Sequence, residues 1–183
     1  VMLDPSTGSI RSLYDKQLGR ELVNAASPWR FGQYLYVSGG DQEPSSILQY
    51  RAVSPKPVLQ VHPAEHGRLI SEERTPWGWR ILMESSTENT PAIHTELRLF
   101  NNEKKIELIE DVDKKPELKK EAVYFAFPFA MSHPRFLYEI QNGVVDPEKD
   151  MYPGAGREWF SVQHWVSVQQ DGLDLGQHAV VAV

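Results

Sequence analysis

Two stretches place chemically useful residues at a spacing that chemistry uses. His62-Pro-Ala-Glu-His66 matches H-x-x-E-H, which on a helix sets two imidazoles on one face to hold a zinc ion, with a glutamate as general base. Its flanks deny that helix. Pro63 follows the first histidine and Gly67 the second, so the pentapeptide is expected to be a turn between two strands and not a metal site. The second stretch runs from Arg157 to Val168. Alternation puts Phe160, Val162, His164, Val166 and Val168 on one side, and Trp159, Ser161, Gln163, Trp165 and Ser167 on the other. Flat indoles beside amide and hydroxyl groups suit a sugar ring, which stacks and hydrogen-bonds at once. The same face suits burial under another domain, and that is the favoured expectation. Trp159, Trp165, Gln163 and Arg157 are therefore the candidate residues for carbohydrate or for a domain interface.

Single titratable residues offer less. Glu110 shares a phase with Ile106, Leu108 and Val112, so alternation points it at the apolar side, where burial would raise its pKa as in a catalytic acid. The ordinary relief is a bulge that turns it outward or an arginine partner, and that is the expectation. His94, His133, His164 and His178 are scattered singly and read as hydrogen-bonded structural residues. Trp77 and Trp79 run in phase with Ile81 and Met83 and are expected in the core.

Nineteen Lys and Arg against 25 Asp and Glu leave a net charge of −6, so there is no broad basic surface for nucleic acid. The chain has no cysteine, which excludes disulfides, thiolate metal sites and cysteine nucleophiles and leaves the compartment undetermined. No apolar run approaches the roughly 20 residues of a membrane helix, and no signal-peptide layout opens the chain, so a soluble protein without a membrane partner is expected. Val1-Met-Leu3 and Ala179-Val-Val-Ala-Val183 are apolar ends that look cut. The expectation is one domain over 1–183, from a longer protein.

The elements that must position these residues have period two. Glu121 to Met131 places Val123, Phe125, Phe127 and Phe129 on one face, a strand with an aromatic core side that should end near Phe129 because Pro128 has no N–H for a ladder. Glu96–Phe100 and Ile106–Asp113 flank the polar turn Asn101–Lys105, and with the aromatic strand they read as a meander. Further strands are expected at Ser9–Asp15, Glu21–Asn24, Arg30–Val37, Val58–Val61, Arg68–Ile70 and around Trp79–Met83. Ser38–Ser46 and Ser54–Pro57 read as loop. The one helical turn is expected at Pro116–Lys120. The class is all-β, of the sandwich type.

Read together, Leu3-Asp-Pro-Ser-Thr-Gly-Ser-Ile-Arg-Ser-Leu-Tyr-Asp-Lys16 with Gly19-Arg-Glu-Leu-Val23 resembles the opening of the C-terminal β-sandwich region of family 38 glycoside hydrolases, the α-mannosidases. Gln33-Tyr-Leu-Tyr36 and Ile106 through Phe129 resemble later parts of that region in the same order. The resemblance implies a large two-sheet antiparallel sandwich of the galactose-mutarotase type. It also implies that the zinc ligands and the carboxylate nucleophile lie in a catalytic domain outside this chain, so that no catalytic residue and no cofactor is carried over. The implied partners are that catalytic domain and carbohydrate. The rivals are a stand-alone carbohydrate-binding module and a mutarotase-like enzyme using paired His and Glu.

Overall fold

In a computed structural model the described residues are 1–40, 58–157, 159–170 and 178–182; the loops expected at Ser38–Ser46 and Ser54–Pro57 lie for the most part outside them. The chain divides into two compact units, Val1–Ala130 and Met131–Val183. Among the described residues the regular structure is β apart from one 3-10 turn, Pro5–Thr7.

The first unit begins with the hairpin β1 (Met2–Asp4) and β2 (Ser9–Ser12), followed by the short pair β3 (Tyr14–Asp15) and β4 (Arg20–Glu21). Two larger antiparallel sheets follow. One orders β10 (Ile106–Asp113), β9 (Thr90–Phe100), β8 (Gly78–Thr87) and β7 (Glu65–Thr75); the other orders β11 (Glu121–Ala126), β5 (Gln33–Gly39) and β6 (Leu59–Pro63). Alternation explains their contact. From β8 and β9, Ile81, Met83 and Leu97 point inward to meet Ile10, Val23 and Phe31, with Phe127 and Phe129 packed around them. A second cluster joins Tyr34 and Tyr36 of β5 to Ala64 and Ile93, with Val112 and Phe125 against it. Sheet thus packs on sheet, as an all-β sandwich requires.

The opposite face of the four-stranded sheet is a charged ladder. Arg80 donates to Glu96 at 2.6 Å, Arg98 reaches both Glu96 and Glu107, and Lys105 closes the row at 2.6 Å from Glu107. Arg80 does most to push the Glu96 carboxyl down to about 2.

Several expectations change. The strand at Glu121 ends at Ala126, not near Phe129, because β5 stops pairing at Gln33. The chain then hands over to another partner: the Pro128 carbonyl accepts the Asn24 N–H at 2.8 Å and Phe129 bridges to Val23. Val123, expected in the core, is 46% exposed. The meander is broken too, since β11 crosses to β5 instead of pairing with β10. No helix forms at Pro116–Lys120; the Glu117 carboxylate takes the N–H groups of Leu118 and Lys119 locally. Trp77 is partly exposed against Phe100, because the chain turns between Thr75 and Gly78 and the strand phase does not reach it.

Glu110 does point inward. The β9–β10 ladder runs without a register shift, so no bulge rescues it, and its Oε2 accepts the Thr95 hydroxyl at 2.7 Å. Oε1 and the Ser85 hydroxyl are buried without a hydrogen-bond partner. Burial pushes the carboxyl up to about 8, partly offset by Thr95. The cluster sits under the 3-10 turn, where Gly8 has φ 64° and a Cβ on it would lie 2.9 Å from the Ser85 hydroxyl and 3.4 Å from that of Thr95.

The second unit is a four-stranded antiparallel sheet ordered β13 (Gly143–Val145), β12 (Pro134–Ile140), β14 (Trp165–Gln170) and β15 (His178–Ala182). Among the described residues Tyr138 and Val168 are its buried apolar side chains, and Phe160 meets the Tyr138 ring at 5.3 Å between centroids.

Candidate functional site

The strand expected from Arg157 to Val168 begins only at Trp165. Its partner β12 pairs Pro134–Tyr138 with Val166–Gln170, then turns at Asn142 (φ 66°) into β13, leaving the preceding residues no ladder to join. Arg157 and Trp159 therefore stand on an irregular segment, Trp159 at 72% exposure. Gln163 is exposed and fastened by its N–H to the Glu139 carbonyl at 3.0 Å, and Trp165 is half-buried at the start of β14. The ladder orders Trp165 and a single backbone bond holds Gln163; Arg157 and Trp159 precede both.

Between them the structure adds a residue set aside in the sequence reading. His164 Nδ1 lies 3.0 Å from Glu139 Oε2, and the imidazole is 73% exposed. A carboxylate on Nδ1 orients a histidine and leaves Nε2 to exchange a proton or bond a hydroxyl. Twenty-five positions separate the two residues, so only the β12–β14 pairing could disclose them. In the same unit, Asp146 accepts Arg135 Nε at 2.7 Å and the Glu148 N–H at 3.0 Å. Arg135 is the main reason its carboxyl lies below the ordinary range.

In the first unit, His62-Pro-Ala-Glu-His66 spans the junction of β6 and β7, with Ala64 buried and its N–H on the Tyr34 carbonyl at 2.8 Å. His66 has φ 54°. The segment is not helical, so the zinc-protease geometry does not arise. Among the described residues, no group of three or more His, Cys, Asp or Glu is placed to hold a metal ion. Beside this junction lies a polar network that the sequence does not announce. The Tyr36 hydroxyl donates to Glu121 Oε2 at 2.9 Å, Asn89 Nδ2 reaches the same two oxygens at 3.4 Å, and Lys114 pairs with the other Glu121 oxygen. Burial, then Glu121, raises the Tyr36 phenol above its ordinary value, while the Lys114 hydrogen bond does most to lower Glu121. This network ties β5, the β8–β9 turn and β11 together. His94 lies on the charged face, 3.9 Å from Glu84, and His133 is exposed with φ 52°.

Among the described residues no helix is long and apolar enough to cross a membrane. Neither the curated proteins nor the solved structures compared with the chain gave a match. The comparison with protein families did, over residues 1–181 and thus across both units, with the glycosyl hydrolases family 38 C-terminal domain. An all-β chain of packed antiparallel sheets, opening on the Asp4–Gly8 turn and matched along almost its whole length, belongs to that family of C-terminal domains of family 38 glycosyl hydrolases.

Proposed function

We propose that this chain serves as the non-catalytic C-terminal domain of an α-mannosidase-like glycoside hydrolase, seated on the catalytic domain and helping to wall its carbohydrate cleft. One observation carries the reading: the family match runs from residue 1 to residue 181, through both compact units, which we treat as one domain, of the galactose-mutarotase type that the sequence resemblance implies. The zinc ion and the nucleophilic carboxylate then belong to the other domain. Arg157, Trp159, Gln163 and Trp165 are the surface offered to that domain or to the sugar, and the domain interface is the favoured role.

The isolated chain should not hydrolyse aryl α-mannosides, with or without added zinc. It should bind the separately expressed catalytic domain. Trp165→Ala should weaken that association while leaving the denaturation midpoint nearly unchanged. Turnover that co-purifies with the chain and disappears when one of its own acids is replaced would overturn the reading, and unfolding by Trp165→Ala would remove the surface role.

A second reading, a mutarotase-like enzyme, draws on the His164–Glu139 pair at 3.0 Å. It requires the chain to accelerate anomer exchange of a free sugar, and His164→Gln to abolish the acceleration.

A further inference from the structure

Beside the β6–β7 junction the first unit holds a cleft of about 670 Å³, within the roughly 300–1,000 Å³ of small-molecule sites. Three separate segments build it. β6 and the start of β7 supply His62, Glu65 and His66, the β8–β9 turn supplies Glu88 and Asn89, and Lys115 comes from the chain after β10. Val61 and Pro63 add an apolar portion.

The walls are tied to one another. Asn89 and Lys115 exchange bonds, the Lys115 N–H donating to the Asn89 carbonyl at 2.9 Å and Asn89 Nδ2 to the Lys115 carbonyl at 3.3 Å. Thr87 fastens the turn to β6 through the His62 carbonyl at 3.1 Å. Tyr36 lies against the His62 ring, 6.0 Å between centroids. His66 and Asn89 both have left-handed backbone, φ 54° and 57°; Asn89 closes the two-residue turn between Thr87 and Thr90.

The lining selects the ligand class. Two carboxylates oppose an anion, and Lys115 opposes a simple cation. A neutral ligand dense in hydroxyls suits the set: carboxylates and imidazole nitrogens accept, the Lys115 ammonium donates, and Val61 and Pro63 meet the apolar face of a pyranose ring. We propose that this cleft is a saccharide-binding subsite for a neutral mannose-type pyranose or a short oligosaccharide of them. The choice of sugar rests on the proposed function above; the cleft and its donor–acceptor set do not.

The test is a titration of the 183-residue chain with methyl α-D-mannoside and with α-mannobiose, followed by amide and imidazole NMR shifts. Saturable shifts are expected at His62, His66, Glu88, Asn89 and Lys115, with a dissociation constant of order 1 mM, as few contacts allow. Glu88→Gln and Lys115→Ala, each at an exposed side chain, should each weaken binding about tenfold, while the dispersion of the amide spectrum reports that the fold is kept. Trp165→Ala should leave this binding unchanged. Shifts confined to Arg157–Trp165 and lost in Trp165→Ala would overturn the cleft while supporting the other surface. Absence of any shift at about 100 mM of either sugar would also overturn it, whereas association with the catalytic domain, measured separately, decides the proposed function.

Discussion

Raising the pH from about 5 to about 9 should lower the denaturation midpoint steeply, and Glu110→Gln should flatten most of that slope. The Glu110 carboxyl stands at about 8 in the fold against an ordinary 4.5, with burial as the cause. A folded value above the unfolded one means that the favourable contribution is complete below about pH 4.5, declines as pH rises, and is gone once pH passes about 8. At neutral pH the deficit is of order 3 kcal/mol, a large part of a domain's usual ~5–15 kcal/mol. Residues with lowered values act in a different window. Glu96, pushed down to about 2 by Arg80, loses its contribution only as pH falls from 4.5 through that value. The Glu110 effect is therefore isolated between about pH 5 and 9. Glutamine keeps an oxygen for the Thr95 hydroxyl and carries no charge to ionise, so the variant should be more stable than the parent at about pH 9 and close to it at about pH 5. Parallel pH profiles for the two proteins would show that Glu110 is solvated and that its inward position has been misassigned.

That carboxylate also shows where sequence pattern was sound and where a general rule misled. Period two placed Glu110 inward beside Ile106, Leu108 and Val112, as the structure does. The expectation of a bulge or an arginine followed from the cost of a buried charge, and neither is present. The cost is met by holding the proton. Elsewhere the legible parts are those with strong alternation. The strands around Trp79–Met83, Glu96–Phe100 and Ile106–Asp113, the inward pair Ile81 and Met83, and the polar turn at Asn101–Lys105 all follow from side-chain spacing. Sheet membership does not. β11 pairs with β5, some 85 residues earlier, and nothing local in Glu121–Ala126 distinguishes that partner from its neighbour β10. Trp77 failed because phase was carried through a turn, and the strand before Trp165 failed because alternation persists in sequence where no partner strand is left to pair.

The candidate surfaces divide along the same line. Trp159 and Gln163 were named from residue type and alternation, and both are exposed. His164 was read as a solitary structural histidine, whereas the β12–β14 register brings Glu139 to it. The Tyr36–Asn89–Glu121–Lys114 network is invisible for the same reason: its members come from four segments, and only two of them are near in sequence. Long-range pairing, which carries no periodic signal, decides which polar residues meet.

Phe31→Ala should be the most damaging single truncation in the first unit. Phe31 belongs to no strand, yet it is buried at the centre of the main cluster. Its ring takes Phe127 and Phe129 edge to face, at 5.1 and 5.0 Å between centroids. Its backbone exchanges two hydrogen bonds with Ile10, at 2.9 and 3.2 Å, which fix β2 to the cluster. Truncating a buried phenylalanine costs about 3–5 kcal/mol through lost burial and the cavity left behind, and each aromatic pair adds about 0.5–1.5 kcal/mol. Phe127 is only half-buried, so Phe127→Ala should lower the midpoint less. Lys119→Ala, in the exposed segment before β11, should leave it within about 0.5 kcal/mol. Because Phe31 and Phe127 share a contact, the double variant should lose less than the two single losses combined. Phe31→Leu separates volume from ring geometry: it fills most of the space and should recover the larger part of the loss, but not the edge-to-face contacts. Denaturant midpoints measured on these five variants at one pH test the whole chain of reasoning. If Phe31→Ala and Lys119→Ala melt together, or if the Phe31 and Phe127 effects simply add, the three rings do not form one packed unit and the core has been placed wrongly.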